Sequence, residues 1–197
     1  MGTGATFYFD FNSPYAYLAA ERIDGLLPDA EWKPIAFAIL LNQLGVLEKR
    51  ITGTDRDAVA REVSERVSRR GLPPFVPPDV WPIRSWSLVP LRAAVFAEEI
   101  GRQREFARAA FHTAFARGRS LAELGNVLDS ARAAGLDPDE VEAAIQRPEV
   151  KDRLKANTDE ALARGVTGIP TVVLGDEVFW GDDRLEEAVA AAGARRP

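Results

Sequence analysis

The chain has 197 residues, 46% hydrophobic and 28% charged, with a formal net charge of −5. That balance fits a globular chain with one sizeable core, and the negative charge argues against nucleic acid or an anionic membrane as main partner. Cysteine is absent and His112 is the single histidine, which excludes disulfide exchange, a cysteine nucleophile and a Cys- or His-based metal cluster, and argues against a histidine triad.

No apolar run reaches membrane-spanning length, and strand-like sequence begins almost at once, so a cytoplasmic chain without a signal peptide is expected. Met1-Gly2 with Thr6 formally fits a myristoylation pattern, though the pattern is short and common by chance.

Residues 6–11 form an aromatic-rich apolar run that reads as a first strand. It leads directly into Ser13-Pro14, an N-cap followed by proline at the first helical position. A helix start leaves backbone N–H groups without intrahelical partners and carries partial positive charge. Such a junction stabilises an anion, a thiolate included, and a hydroxyl there can donate one further hydrogen bond. The helix is expected over 15–27, and a second strand over 31–38 has Trp32, Ile35 and Phe37 as core candidates. Parallel pairing of the two strands makes a β-α-β unit.

From residue 39 to 164 the pattern is helical, punctuated by Gly and Pro. Thr54 with Asp57 resembles a capping box for a helix striped by Val59, Val63 and Val67 and ended by Gly71. The alternating arginines and glutamates of 61–70 read as its exposed face. Pro73, Pro74, Pro77, Pro78 and Pro82 imply an extended loop over 72–83. Further helices carry Leu88, Leu91, Val95 and Ile100, then Phe106, Phe111 and Phe115; His112 on the latter reads as structural or exposed. Ser120 with Glu123 opens the next, and Asp137-Pro138 a short one with an acidic first turn. Pro148 starts the last, on whose apolar stripe Asn157 is expected to bond a buried group. Residues 170–174 and 177–180 then flank Gly175-Asp176 as a hairpin, and Asp182 or Asp183 caps a final helix. The expected organisation is one composite α/β domain, with 1–40 and 165–197 forming the α/β part and 41–164 an all-helical insertion.

Three segments carry a resemblance. Residues 9–18 (Phe-Asp-Phe-Asn-Ser-Pro-Tyr-Ala-Tyr-Leu), 165–171 and 174–185 resemble the N- and C-terminal motifs of the 2-hydroxychromene-2-carboxylate isomerase family. That family lies in the thioredoxin-like branch that also holds DsbA-type oxidoreductases and kappa-class glutathione transferases. The resemblance implies a thioredoxin-like fold with the helical insertion, a homodimer, a small-molecule substrate and glutathione, or another low-molecular-weight thiol, as cofactor.

Position by position, Ser13 matches the family's catalytic serine, standing where redox relatives carry the first cysteine of Cys-x-x-Cys; its plainer role is the N-cap. Pro170 matches a cis-proline that presents the Ile169 backbone to the peptide backbone of glutathione; the alternative is an ordinary trans proline at a strand start. Asp182 and Asp183 match the polar pair that holds the γ-glutamyl amino group, or else cap the helix. Substrate contacts are implied at Asn12, Thr54, Trp86 and Trp180, where Trp180 either walls the cleft or is simply packed. Two positions depart from the family: Thr54 stands where members carry Asn after Thr-Gly, and Trp86 where they carry Asn before Ser. Arg84 is placed to meet a substrate carboxylate. The implied activity is thiol-assisted cis–trans isomerisation of an unsaturated, aromatic-derived carboxylate. A kappa-type glutathione transferase and a non-catalytic thiol-binding module are the alternatives.

Overall fold

The computed structural model describes residues 4–82 and 85–194; the Met1-Gly2 pair and Arg84 lie outside them. Strand β1 (Ala5–Phe9) leads through helices α1 (Pro14–Ala20) and α2 (Ile23–Leu26) to β2 (Glu31–Pro34). The helical stretch comprises α3 (Phe37–Gln43), α4 (Leu47–Thr52), α5 (Arg56–Arg70), α6 (Leu88–Glu99), α7 (Gln103–Phe115), α8 (Leu124–Ala133), α9 (Pro138–Ala144) and α10 (Pro148–Ala163). It is followed by β3 (Thr171–Leu174), β4 (Glu177–Trp180), a 3-10 turn at Asp182–Arg184 and α11 (Leu185–Ala194).

The sheet order is β2-β1-β3-β4. β1 runs parallel to β2, with Phe7 opposite Trp32, and antiparallel to β3, with Phe7 opposite Val172. Gly175, at φ +61°, supplies the left-handed residue of the β3–β4 hairpin. This is the thioredoxin-like α/β arrangement with inserted helices that the resemblance implies.

Every residue of β1 is buried, because both faces of the sheet are covered. On one face Phe7 and Phe9 stack at 5.5 Å, meet Trp32 edge-on and, with Phe11, reach Phe106 and Phe111 of α7. On the other, Tyr8 and Val173 pack with Ile35, Leu40 and Ala161, so α3 and α10 close that side. A polar group sits within this second layer. The Tyr8 hydroxyl donates to Glu160 Oε1 at 2.8 Å, and Lys33 Nζ reaches both Glu160 oxygens at 2.9 and 2.7 Å. Arg164 adds bonds to Thr6 Oγ1 and the Tyr8 oxygen, fastening the end of α10 to β1.

Several boundaries differ from the sequence reading. β2 stops at Pro34 instead of running to residue 38. Ala36 N donates to Thr158 Oγ1 and Phe37 N to Asp10 Oδ2, both at 3.0 Å, so side chains take the donors a strand would have used and α3 begins. The single helix expected over 15–27 is two, because Arg22 N bonds back to Ala19 O while its side chain turns to the Asp182 carbonyl. Thr54 does not cap α5. Asp55 does, accepting from Ala58 N at 2.9 Å, and Thr54 Oγ1 donates instead to Arg50 O at 2.8 Å. Ser120 accepts from Ala122 N and shapes the turn ahead of α8, which starts only at Leu124. Asn157 behaves as expected, buried and donating to Pro34 O at 3.3 Å.

The Tyr8–Glu160–Lys33 group makes stability depend on acid. Burial opposes the Glu160 charge, but the bonds from Lys33 and Tyr8 outweigh it and hold the carboxyl below its ordinary value of 4.5. The unfolded chain therefore takes up this proton first as pH falls. The stabilisation is complete above pH 4.5 and is lost as pH drops through the folded-state value. Urea unfolding of wild type and Glu160→Gln should accordingly differ at neutral pH and converge in acid; a gap that widens in acid would reverse the assignment.

Candidate functional site

The loop from β1 to α1 is set by a buried carboxylate. Asp10 is 2% exposed and accepts from Asn12 N at 2.9 Å through Oδ1 and from Phe37 N at 3.0 Å through Oδ2. Burial pushes its carboxyl up, against the pull of these two amides and the Ser87 hydroxyl. With Ser13 N donating to Asp10 O, the chain is held in a tight turn that delivers Ser13 to the N-cap of α1.

Ser13 is half-buried and caps the helix, its Oγ accepting from Ala16 N at 3.2 Å. Accepting that bond leaves the hydroxyl hydrogen available to donate outward. Of the first-turn amides, Pro14 has no N–H and Ala16 donates to Ser13, which leaves the Tyr15 N–H without a partner among the described residues. The helix start thus keeps two donors for an anion.

Beside it lies a cleft of about 310 Å³, whose walls include Tyr15 of α1, Glu62 and Arg66 of α5, and Arg50 of α4. Ile169, Pro170, Trp180, Gly181, Asp182 and Asp183 complete it. The Ile169–Pro170 peptide is cis, as the resemblance implies. Trp180 is half-exposed and its indole lies close over Gly168, where an added Cβ would overlap the ring. The Arg50 guanidinium stands over the same ring, 5.5 Å from its centre. Gly181 has φ +119°, and the Asp183 carboxylate folds back against its Cα, a conformation and an approach that a side chain would prevent.

A charge relay stiffens one wall. Tyr15 donates its hydroxyl to Glu62 Oε2 at 2.7 Å, Glu62 pairs with Arg66, and Arg66 and Arg70 each take one oxygen of Asp182. Burial, then the Glu62 bond, pushes the Tyr15 phenol up, so it stays protonated. Burial works against the Arg66 charge, but Asp182 and Glu62 overcome it and raise the guanidinium further. The relay fixes α5, from the helical stretch, to the turn that follows β4.

The sequence-derived residues therefore separate. Ile169, Pro170, Asp183 and Trp180 line the cleft, whereas Ser13 is not among its lining residues and stands at the head of the helix that contributes Tyr15 to the wall. Asp182 lines the cleft too, yet it neither caps α11 nor offers a free carboxylate, because both oxygens face arginines and it is 1% exposed. Asn12 is turned toward the proline-rich loop: its carbonyl accepts from Trp81 Nε1 at 2.8 Å and its Nδ2 reaches Pro82 O at 3.5 Å. Thr54 stands behind Arg50, and Trp86, 71% exposed, is not among the cleft residues. His112 bonds Glu21 at 2.9 Å, also away from the cleft lining.

Arg50, Glu62 and Arg66 were not legible as site residues. The segment 61–70 is only partly the exposed face it appears to be: the Arg66 and Arg70 side chains are 18% and 24% exposed and turn inward to Asp182. The signal was the spacing of four from Glu62 to Arg66 to Arg70, which puts all three on one helix face.

Removing the Asp182 carboxylate leaves Arg70 without its ion pair and Arg66 with Glu62 as its remaining ion-pair partner among the described residues. Asp182→Ala should lower the urea unfolding free energy by about 3 kcal/mol. A loss below about 1 kcal/mol, the range of a surface pair, would show that the relay does not hold the wall.

Residues 5–192 match the DSBA-like thioredoxin domain. Curated relatives include a 2-hydroxychromene-2-carboxylate isomerase of Sphingobium xenophagum, 27% identical over 91% of this chain and 93% of that protein. Another of the same name from Pseudomonas sp. (strain C18) is 28% identical over 94% and 90%. Among solved structures, a 2-hydroxychromene-2-carboxylate isomerase superposes with a TM-score of 0.84 at 24% identity, covering 96% of this chain and 94% of that one. A probable DsbA oxidoreductase from Streptomyces coelicolor gives 0.71 at 20% identity, over 98% and 91%. The match to the domain spans nearly the whole chain, which therefore belongs to the DSBA-like thioredoxin domain family.

Proposed function

We propose that this protein is an isomerase that binds a low-molecular-weight thiol, glutathione foremost, and uses it to interconvert the cis and trans forms of an unsaturated, aromatic-derived carboxylate. The reading rests on one observation above the others. A half-buried serine hydroxyl caps the helix beside a cleft that Ile169 and Pro170 border, in a chain with no cysteine of its own. The names of the curated relatives support the same reaction class.

The residues fit the cofactor in three respects. The helix start offers the Ser13 hydroxyl and the Tyr15 amide to an anion, while Asp183 offers a carboxylate to an ammonium group. The cleft volume falls at the small end of the range of about 300–1,000 Å³ for ligand sites.

When bound, glutathione would supply a thiolate able to add reversibly to the conjugated double bond and so permit rotation about it. Ser13 holds that sulfur ionised by donating its hydroxyl hydrogen, and the α1 dipole lowers a thiol pKa that is about 8.5 in water. Ser13 needs no base, because it donates without becoming a nucleophile. Ile169, Pro170 and the Trp180 ring wall the cleft and limit the poses of the substrate. Tyr15 keeps its proton, donates it in a hydrogen bond to Glu62 and serves as wall.

Calorimetry with glutathione, together with an ultraviolet assay of cis–trans conversion, tests this on wild type, Ser13→Ala and Ser13→Thr. Ser13→Ala should weaken binding, raise the pH at which the thiolate absorbance appears and lower turnover on the order of 100-fold. It should also lose about 1 kcal/mol of stability as an N-cap, whereas Ser13→Thr, which keeps the hydroxyl, should retain both properties in part. Failure of any small thiol to bind at millimolar concentration removes the cofactor. Accumulation of a conjugate without recovery of thiol assigns a transferase instead.

A further inference from the structure

The cleft holds one cation whose charge the protein does not use. Glu62 and Asp182 answer Arg66, and Asp182 answers Arg70. Arg50, from α4, has no carboxylate within ion-pair distance among the described residues. It is held instead by the face of the Trp180 indole. A guanidinium carries its N–H groups as a planar, rigid fork, and none of those of Arg50 faces an acid among the described residues. That fork matches the two oxygens of a carboxylate.

The position is built from both sides. Thr54 Oγ1 donates to the Arg50 carbonyl at 2.8 Å and fixes the end of α4, while Gly168 lets the indole settle close to the cis-proline segment. Trp180 is 50% exposed even so, leaving apolar, planar surface beside the guanidinium. Asp183 is the complementary anion on the side of Gly181. Charge therefore sorts a ligand along the cleft, with an ammonium toward Asp183 and a carboxylate toward Arg50.

We infer that Arg50 and Trp180 together form the carboxylate anchor of the cleft, Arg50 pairing with the carboxylate of the substrate and Trp180 receiving the planar conjugated group that carries it. The inference rests on the isomerase reading for the identity of the substrate, and it adds the residues that select for charge and planarity. The same guanidinium would also suit a carboxylate of the thiol. The aromatic surface next to it favours the planar substrate, and the two sources separate experimentally.

Calorimetric titrations with cinnamate, its uncharged isostere cinnamamide, and glutathione on wild type, Arg50→Gln and Trp180→Leu make the test. Cinnamate should bind wild type saturably and lose about tenfold in affinity in Arg50→Gln, the scale of a charge-assisted pair at a partly exposed rim. Cinnamamide should bind wild type and Arg50→Gln alike, and weaken in Trp180→Leu. Glutathione should bind wild type and Arg50→Gln within about twofold of each other, a spread well below one charged hydrogen bond. Arg50 is exposed on a short surface helix, so unchanged circular dichroism and melting are expected for Arg50→Gln. Undiminished cinnamate affinity in Arg50→Gln, or no cinnamate binding by wild type, overturns the anchor. A tenfold loss confined to glutathione overturns it as well and gives the guanidinium to the thiol. These readouts are independent of turnover. Wild type that binds cinnamate through Arg50 but isomerises nothing defeats the isomerase reading alone.

Discussion

The carboxylate of Asp182 joins two parts of the chain that the sequence keeps far apart. Arg66 and Arg70 belong to the inserted helices, Asp182 to the turn after the last strand, and between them they close one side of the cleft. A carboxylate at 1% exposure is tolerable only where its charge is answered, and here it is answered twice on the side chain while its backbone carbonyl takes Arg22. The same arginines would be costly without it. Each partner is thus a condition for burying the other, which makes the wall a single unit.

That unit leaves a particular electrostatic remainder. The chain as a whole is negative, yet the cleft is lined by Arg50 and Arg66 as well as Glu62, Asp182 and Asp183. Pairing answers the charges of Arg66, Glu62 and Asp182 within the protein, which leaves them little net charge to offer a ligand. What remains is the start of α1 with Ser13, the Asp183 carboxylate and the Arg50 guanidinium. Three separate charge preferences, each on a different element, can discriminate a ligand by shape and charge order at once.

The sequence displayed the elements that owe their form to local chemistry. Ser13-Pro14 announced a helix start, Asp137-Pro138 another, and Gly175-Asp176 a hairpin, since caps, N1 prolines and left-handed turns act within a few residues. It hid what distant groups decide. The end of β2 was unreadable because Asp10 and Thr158, remote in sequence, claim the amides of Phe37 and Ala36. The inward turn of Arg66 and Arg70 was unreadable because their partner lies more than a hundred residues away. The terminal motifs point to Ile169, Pro170 and Asp183, which the fold places in one cleft, and to Ser13 at the head of the helix that gives Tyr15 to its wall, whereas Trp86 lies exposed and outside the lining.

Ser13 shows why capping and an anion-binding role need not compete. An N-cap hydroxyl uses a lone pair toward the helix, and its hydrogen is left to point away from it. The geometry that satisfies the helix is therefore the geometry that arms the donor, and the partner it faces lies along the positive end of the dipole. A cysteine at this position would place its own sulfur in that field and permit disulfide exchange. A serine keeps the field and gives up the sulfur, so any thiolate stabilised there must arrive with a ligand and can leave with it. Under the proposed function, the exchange of a single atom at the head of α1 would leave the electrostatic device in place to hold a nucleophile that the ligand brings.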